Sequence, residues 1–148
     1  MISISKLYCG GAETMDALRY GSDTHKRPVV VWNMTRRCNL KCIHCYSSSR
    51  NIRYKNELTT DEGKKLISDL AAFRSPVILF SGGEPLMRED LPELAGFAVD
   101  RGMRAVISTN GTLLTRKTVN ILKKTGISYI GVSLDGMEKT HDRFRGVE

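Results

Sequence analysis

Cys38, Cys42 and Cys45 are the residues of this sequence whose type and spacing best suit chemistry. They form a Cys-x3-Cys-x2-Cys pattern shortly after an apolar run. Cysteine thiolates bind iron–sulfur clusters, and the common fully protein-ligated [4Fe–4S] cluster has four of them as ligands. Three thiols would leave one iron without a protein ligand. The pattern therefore predicts a [4Fe–4S] cluster whose open iron can bind a small molecule.

Other interpretations of this stretch are weaker. Cys9 is distant and has no cysteine neighbour, which favours an ordinary free thiol over a fourth cluster ligand. Zinc is disfavoured because structural zinc sites use four ligands. His44 lies between two of the cysteines. We interpret it as a packing ring or a ring that faces adenine, and not as a metal ligand, because the thiols already supply three ligands.

The elements that would position these cysteines alternate along the chain. Apolar, largely β-branched runs predict four buried strands, at 29–33, 77–80, 104–108 and 129–134. Three helices are predicted to begin after the capping residues Thr59, Asp90 and Thr115. We expect Val119 and Leu122 to face inward in the third helix. The order β-α-β-α-β-α-β predicts an α/β fold, with about four parallel strands and flanking helices.

Polar clusters follow the three later strands at their carboxyl ends. They are Gly82-Gly83-Glu84-Pro85, Ser108-Thr109-Asn110-Gly111 and Ser133-Leu134-Asp135-Gly136. The carboxyl ends of parallel strands meet at one edge of a sheet or barrel, where sites are built. We therefore expect these clusters and the cysteines to lie together at this edge.

Each cluster has a functional and a structural interpretation. Gly82 and Gly83 would let a ligand approach the backbone, and Glu84 could accept from an ammonium group, although Gly and Pro also mark ordinary turns. Asn110 could bond a ribose hydroxyl or simply form an Asn-Gly turn.

The last polar stretch offers further candidates. Ser133 and Asp135 could cap a helix or turn or could contact a ligand. Arg143 and Arg145 could be solvated, or one of them could neutralise the carboxylate of an amino acid held at the open iron.

Together, the cysteine pattern, Gly-Gly-Glu-Pro and Ser-Thr-Asn-Gly at successive strand ends resemble the radical S-adenosylmethionine (SAM) superfamily, from about Val29 onward. The resemblance implies that the three cysteines bind a [4Fe–4S] cluster and that Gly82, Gly83 and Glu84 hold the methionine amino group. It further implies that Asn110, Ser133, Asp135 and Arg143 or Arg145 contact the ribose and carboxylate. His44 takes a position usually filled by an aromatic ring.

The resemblance also implies an activity. One electron from the reduced cluster would cleave SAM to methionine and a 5′-deoxyadenosyl radical, which abstracts hydrogen from a substrate. The segments 4–10, 17–21 and 29–38 are similar to enzymes of alternative haem synthesis, which implies decarboxylation or deacetylation of a sirohaem derivative. The alternatives are a non-catalytic iron–sulfur or electron-transfer module and a radical SAM peptide-maturation enzyme.

The domain expectation is an N-terminal arm at 1–27 and a radical SAM core at 28–148. Such cores usually are (β/α) barrels of six βα units, so we expect a partial barrel, the N-terminal portion of a longer enzyme without C-terminal strands or an auxiliary-cluster region. An exposed fourth strand would favour self-association.

Composition bounds the partners. The net charge of +7 comes from scattered Lys and Arg without interleaved aromatics, which disfavours nucleic acid. An excess of cations around the cysteines suits an acidic low-potential electron donor of the flavodoxin or ferredoxin type, an anionic substrate such as a tetrapyrrole, or a merely solvated face. No apolar run suggests a membrane and no secretory signal is visible, so we expect a cytoplasmic protein.

Overall fold

The computed structural model describes residues 27–147. The predicted N-terminal arm, including Cys9, lies outside the described residues except for Arg27. Within the described range, no helix combines the length and apolar character needed to cross a bilayer.

The described strands form one parallel sheet in the order β1-β2-β3-β4. The strands are β1 (Val30–Thr35), β2 (Val77–Gly82), β3 (Arg104–Thr109) and β4 (Tyr129–Val132). The helices are α1 (Thr60–Ala72), α2 (Leu91–Asp100), α3 (Arg116–Lys124) and α4 (Glu138–Arg145), with a short 3₁₀ helix at Pro85–Met87. The predicted α/β fold with four parallel strands is confirmed, whereas α4 was not predicted.

Two of the three predicted helix caps are present. Thr59 forms a capping box with Glu62, in which each residue's side chain accepts from the other's backbone N–H. At the start of α3, Thr115 Oγ1 accepts from the backbone N–H of Thr118 at 3.1 Å. These bonds fix where α1 and α3 begin, and therefore how each crossover returns to the sheet.

Asp90 occupies the predicted N-cap position of α2, but the predicted capping bond of its side chain is absent. Its backbone has φ −85° and ψ 0°, outside the extended region that a capping side chain favours, and no side-chain cap bond forms. The carboxylate instead pairs with Arg88, at 2.5 Å between Nη2 and Oδ2, and accepts from Thr60 Oγ1 at 2.8 Å. Asp90 therefore ties the start of α2 to the start of α1.

The core lies between one face of the sheet and the helices. It contains Trp32, Met34, Ile67, Ile78, Phe80, Leu91, Leu94, Ala95, Ala98, Met103, Ala105, Ile107 and Leu122. Its strand residues alternate in sequence because one face of each of these strands is covered. The prediction of buried strands is therefore wrong for β1, whose alternate residues are exposed, and for β4, which has no buried residue. Val119 is 43% exposed, so its predicted inward position is wrong, because α3 buries only Leu122.

The opposite face of the sheet carries two different rows of side chains. An apolar row crosses the strands in register at Val31, Leu79, Val106 and Tyr129. Nearer the carboxyl ends, Asn33 is paired with Ser81, and Ser108 is paired with Gly131. Small and polar residues therefore occupy the part of this face closest to the cysteines.

Candidate functional site

An open cavity of about 280 Å³ lies at the carboxyl ends of the strands. It is lined by Cys38, Cys42, His44, Cys45, Tyr46, Ser47, Ser49, Ser81, Gly82, Gly83, Ser108, Thr109, Asn110, Ser133, Asp135 and Arg145. Ten of the twelve residues predicted for the site therefore share one cavity. Glu84 and Arg143 are the two that do not line it.

The cysteine loop, residues 36–45, follows β1 and carries three free thiols. Each thiol sulfur accepts from a nearby donor: Cys38 from the Leu40 N–H at 3.4 Å, Cys42 from Arg145 at 3.8 Å, and Cys45 from the Ser49 N–H at 3.4 Å. Hydrogen bonds to sulfur tune the potential of iron–sulfur clusters.

The pKa values of Cys38 and Cys45 are shifted in opposite directions. Burial raises the pKa of Cys38, and the Leu40 N–H only partly opposes that effect. Partial burial also acts to raise the pKa of Cys45, but hydrogen bonds from Ser47 and Ser49 outweigh it and lower the value to about 7. Cys45 is therefore substantially ionised at neutral pH, which is the state that binds metal.

Within residues 27–147, no three His, Cys, Asp or Glu side chains are placed to hold a single metal ion. The three thiols instead line a shared, larger cavity, and all three are free and hydrogen-bonded at sulfur. This donor set fits an iron–sulfur cluster, in which each thiolate binds a different iron.

Gly82 and Gly83 are required by the backbone of β1 and the cysteine loop. Gly82 has φ +131°, and a Cβ there would lie 2.1 Å from the carbonyl oxygen of Thr35. A Cβ on Gly83 would lie 2.4 Å from the carbonyl oxygen of Arg37. The Gly83 N–H donates to the Thr35 carbonyl at 2.7 Å, so this pair anchors the start of the loop.

Glu84 points into the protein. It is fully buried, and its carboxylate accepts from Thr109 Oγ1 at 2.7 Å, the Asn110 N–H at 2.8 Å and the Leu86 N–H at 3.0 Å. Its own N–H donates to the Arg37 carbonyl at 2.9 Å. The carboxylate thus already accepts three hydrogen bonds, and its predicted contact with a ligand ammonium group stays a prediction.

Asn110 lines the cavity, and its amide binds the cysteine loop. Nδ2 donates to Asn39 Oδ1 at 3.0 Å and lies 3.9 Å from Cys38 Sγ, while Oδ1 accepts from the Thr112 N–H at 2.9 Å. Asn110 therefore forms the turn and also faces the cavity.

The last cluster places charges beside Cys42. Arg145 Nε lies 2.6 Å from Asp135 Oδ2, an ion pair whose angle does not satisfy a hydrogen bond, and His44 Nε2 lies 3.6 Å from Asp135 Oδ1. The His44 ring also contacts Phe144, with centroids 5.5 Å apart. Arg145 is therefore the arginine at the cavity, whereas Arg143 is exposed.

Sequence reasoning missed the hydroxyls that support Cys45. Ser47 Oγ lies 3.4 Å from Cys45 Sγ and 2.6 Å from Ser49 Oγ. The run Ser47-Ser48-Ser49 directly after the last cysteine was the available signal.

The family model described as "Radical SAM superfamily" matches residues 32–148. The chain belongs to this superfamily. The described part of the radical SAM chain is also similar to the crystal structure of BtrN in complex with AdoMet and 2-DOIA. That similarity has a TM-score of 0.63 and 28% identity over 80% of this chain and 49% of BtrN.

Curated relatives are named for haem chemistry. The Fe-coproporphyrin III synthase of Methanosarcina barkeri is 62% identical over all of this chain and 40% of its own length. The AdoMet-dependent heme synthase of the same organism is 43% identical over 84% of this chain and 36% of its own length. The pre-heme d1 synthase of Dinoroseobacter shibae is 43% identical, over 82% and 30% respectively. The chain spans 40% or less of these relatives, and the predicted likeness to enzymes of alternative haem synthesis is confirmed.

Proposed function

We propose that this radical SAM chain binds a [4Fe–4S] cluster through Cys38, Cys42 and Cys45 and holds SAM in the adjoining cavity. The observation that carries the proposal is that three free thiols and the strand-end motifs line one cavity. When bound, the cluster supplies the single electron that cleaves SAM to methionine and a 5′-deoxyadenosyl radical. The chain's own residues bind, orient and shield these groups.

We assign each group of residues that lines the cavity a separate role. Cys45 provides a thiolate near neutral pH, and donors at each sulfur orient the thiols. Ser133, Asp135, His44 and Asn110 line the side of the cavity that we assign to SAM. Ser81 and Ser108 keep the adjoining sheet face free of bulky side chains.

We propose that the substrate is an iron tetrapyrrole, and specifically a sirohaem derivative that loses acetate side chains. The 62% identical relative is named for the formation of Fe-coproporphyrin III, which supports this substrate class. The sheet face opposite the core offers small polar residues near the thiols and, farther from them, the apolar row of Val31, Leu79, Val106 and Tyr129. A large molecule with an apolar ring system and carboxylate-bearing edges suits that arrangement.

We also propose that an acidic, low-potential electron donor of the flavodoxin or ferredoxin type docks beside the cysteine loop. Residues 36–56 contain six Lys or Arg and no Asp or Glu, so this segment carries six of the seven net positive charges. None of these six cations forms an ion pair within the described residues. A cytoplasmic location is part of the proposal, because a reducing compartment keeps such thiols free.

The test is anaerobic iron–sulfur reconstitution followed by EPR of the reduced protein with and without SAM. The proposal expects a cluster signal that changes when SAM is added, with formation of 5′-deoxyadenosine. Cys42→Ala should abolish the signal, whereas Cys9→Ser, the matched control, should retain it. A spectrum that SAM leaves unchanged would instead support a non-catalytic iron–sulfur module.

The substrate is tested separately by mass spectrometry. Incubation with SAM, reductant and a didecarboxylated sirohaem should yield a tetrapyrrole that has lost acetate groups. Formation of 5′-deoxyadenosine with unchanged tetrapyrrole would keep the radical SAM assignment and overturn the substrate.

A further inference from the structure

The C-terminal end of α4 lies against residues 41–43 of the cysteine loop. The Ile43 N–H donates to the Phe144 carbonyl at 2.9 Å, which joins the two backbones between Cys42 and Cys45. Arg145 spans the gap between Asp135, three residues after β4, and Cys42 Sγ. Its side chain is about 10% exposed, so this link is nearly shielded from solvent.

Gly146 sets the closeness of this contact. It ends α4 in the left-handed region, with φ +66°, and the following N–H of Val147 returns to the Asp142 carbonyl at 3.0 Å. A Cβ on Gly146 would lie 2.5 Å from the carbonyl oxygen of Lys41. A side chain at this position would have to push the cysteine loop away from the helix.

We propose that Phe144, Arg145 and Gly146 form a clamp that positions Cys42, so that the fourth βα unit is part of the cluster-binding site. Arg145 acts here as a positioning residue, because its guanidinium is shared between the Asp135 carboxylate and the Cys42 thiol. The importance of the clamp for catalysis rests on the proposed function. The clamp itself consists of contacts within the chain, so it can be tested without a bound cluster.

The test compares three glycine substitutions. Gly146→Ala adds both left-handed strain and the clash with Lys41, whereas Gly146→Asn keeps the clash with less strain, because Asn tolerates this backbone region. Gly102→Ala is the matched control: Gly102 has φ +78° with nothing within 4 Å of the added Cβ. It therefore adds strain alone.

Two site-specific measurements are made on the reduced, metal-free chain. Hydrogen exchange reports on the Ile43 amide, and alkylation by N-ethylmaleimide, resolved by peptide mass spectrometry, reports on Cys42 relative to Cys38. Loss of the clamp should raise Ile43 exchange and the ratio of Cys42 to Cys38 alkylation by about tenfold, the factor that corresponds to about 1.4 kcal/mol, which is within the range of one hydrogen bond. Both Gly146 variants should show this change, and Gly102→Ala should not.

Two results would overturn the clamp. If Gly146→Asn behaves as the wild type, only backbone strain at this position matters. If Gly146→Ala and Gly102→Ala both raise the alkylation of Cys38 and Cys42 and the exchange of the Ile43 amide to the same extent, the effect is general destabilisation. Neither result depends on SAM or on a bound cluster, so failure of the clamp and failure of the proposed activity are distinguishable.

Discussion

Glu84 is the buried residue whose replacement gives the sharpest test of the site's architecture. Its carboxylate holds three donors: the Thr109 hydroxyl and the N–H groups of Asn110 and Leu86. Glu84→Ala would leave these groups without their acceptor in a fully buried position. Hydrogen bonds to charged groups contribute about 1.5–3 kcal/mol each, and stranded donors add cost. Allowing for non-additivity, we expect a loss of about 3–5 kcal/mol in the free energy of unfolding.

Glu84→Gln should cost less, about 1–3 kcal/mol, because the amide keeps one acceptor oxygen and turns a donor toward one backbone N–H. Denaturant unfolding measures both values. Exposed Glu89 provides the control, since Glu89→Gln should change the unfolding free energy by less than about 0.5 kcal/mol. A loss below about 0.5 kcal/mol in Glu84→Ala would refute the reasoning. It would indicate a carboxylate that faces a ligand and does not support β3.

Three further predictions concern stability and assembly. Hydrogen bonding by Arg88 holds the pKa of Asp90 below its usual value. The ionised carboxylate therefore stabilises the fold above about pH 4. The difference in stability between the wild type and Asp90→Asn should shrink as the pH falls below that value. Thermal melts from pH 3 to 7 measure this, and a constant difference would contradict it. Leu122→Ala should cost about 2–5 kcal/mol in denaturant unfolding, but Val119→Ala less than about 0.5, and equal costs would place both side chains in the core. Because β4 is an edge strand of the sheet formed by the described residues, the chain should self-associate with rising concentration in sedimentation velocity. Val132→Lys should reduce this association, whereas a wild-type monomer at every concentration would contradict the prediction.

The strands were predictable because each is a short apolar run bounded by polar or turn-forming residues. Helix α4 was missed because its sequence, Glu138–Arg145, is mostly charged and lacks an apolar stripe. Its available signals were an acidic first turn, basic residues in its last turn, and Gly146 as a stop. Stabilisation by contact with the cysteine loop cannot be read from local periodicity.

The candidate site was predictable as a set of residues but not as a set of contacts. A parallel sheet brings strand ends to one edge, so Cys38, Asn110 and Asp135 could be placed at one mouth from their order alone. Whether a strand-end side chain faces the cavity or the interior depends on register and on the path of the next turn. Glu84 turns inward because the β2 and β3 ends place Thr109 and Asn110 within reach of its carboxylate.

These contacts explain how a short cysteine pattern acquires a defined geometry. The spacing of the cysteines determines which ligands are available, but the loop that carries them is held by residues far away in sequence. Gly83 and Glu84 bind the backbone of Thr35 and Arg37. Asn110 reaches Cys38 across 72 positions, and Arg145 reaches Cys42 across 103. Each successive strand end thus adds a contact to the same loop, so all four βα units contribute to the position of the cysteines.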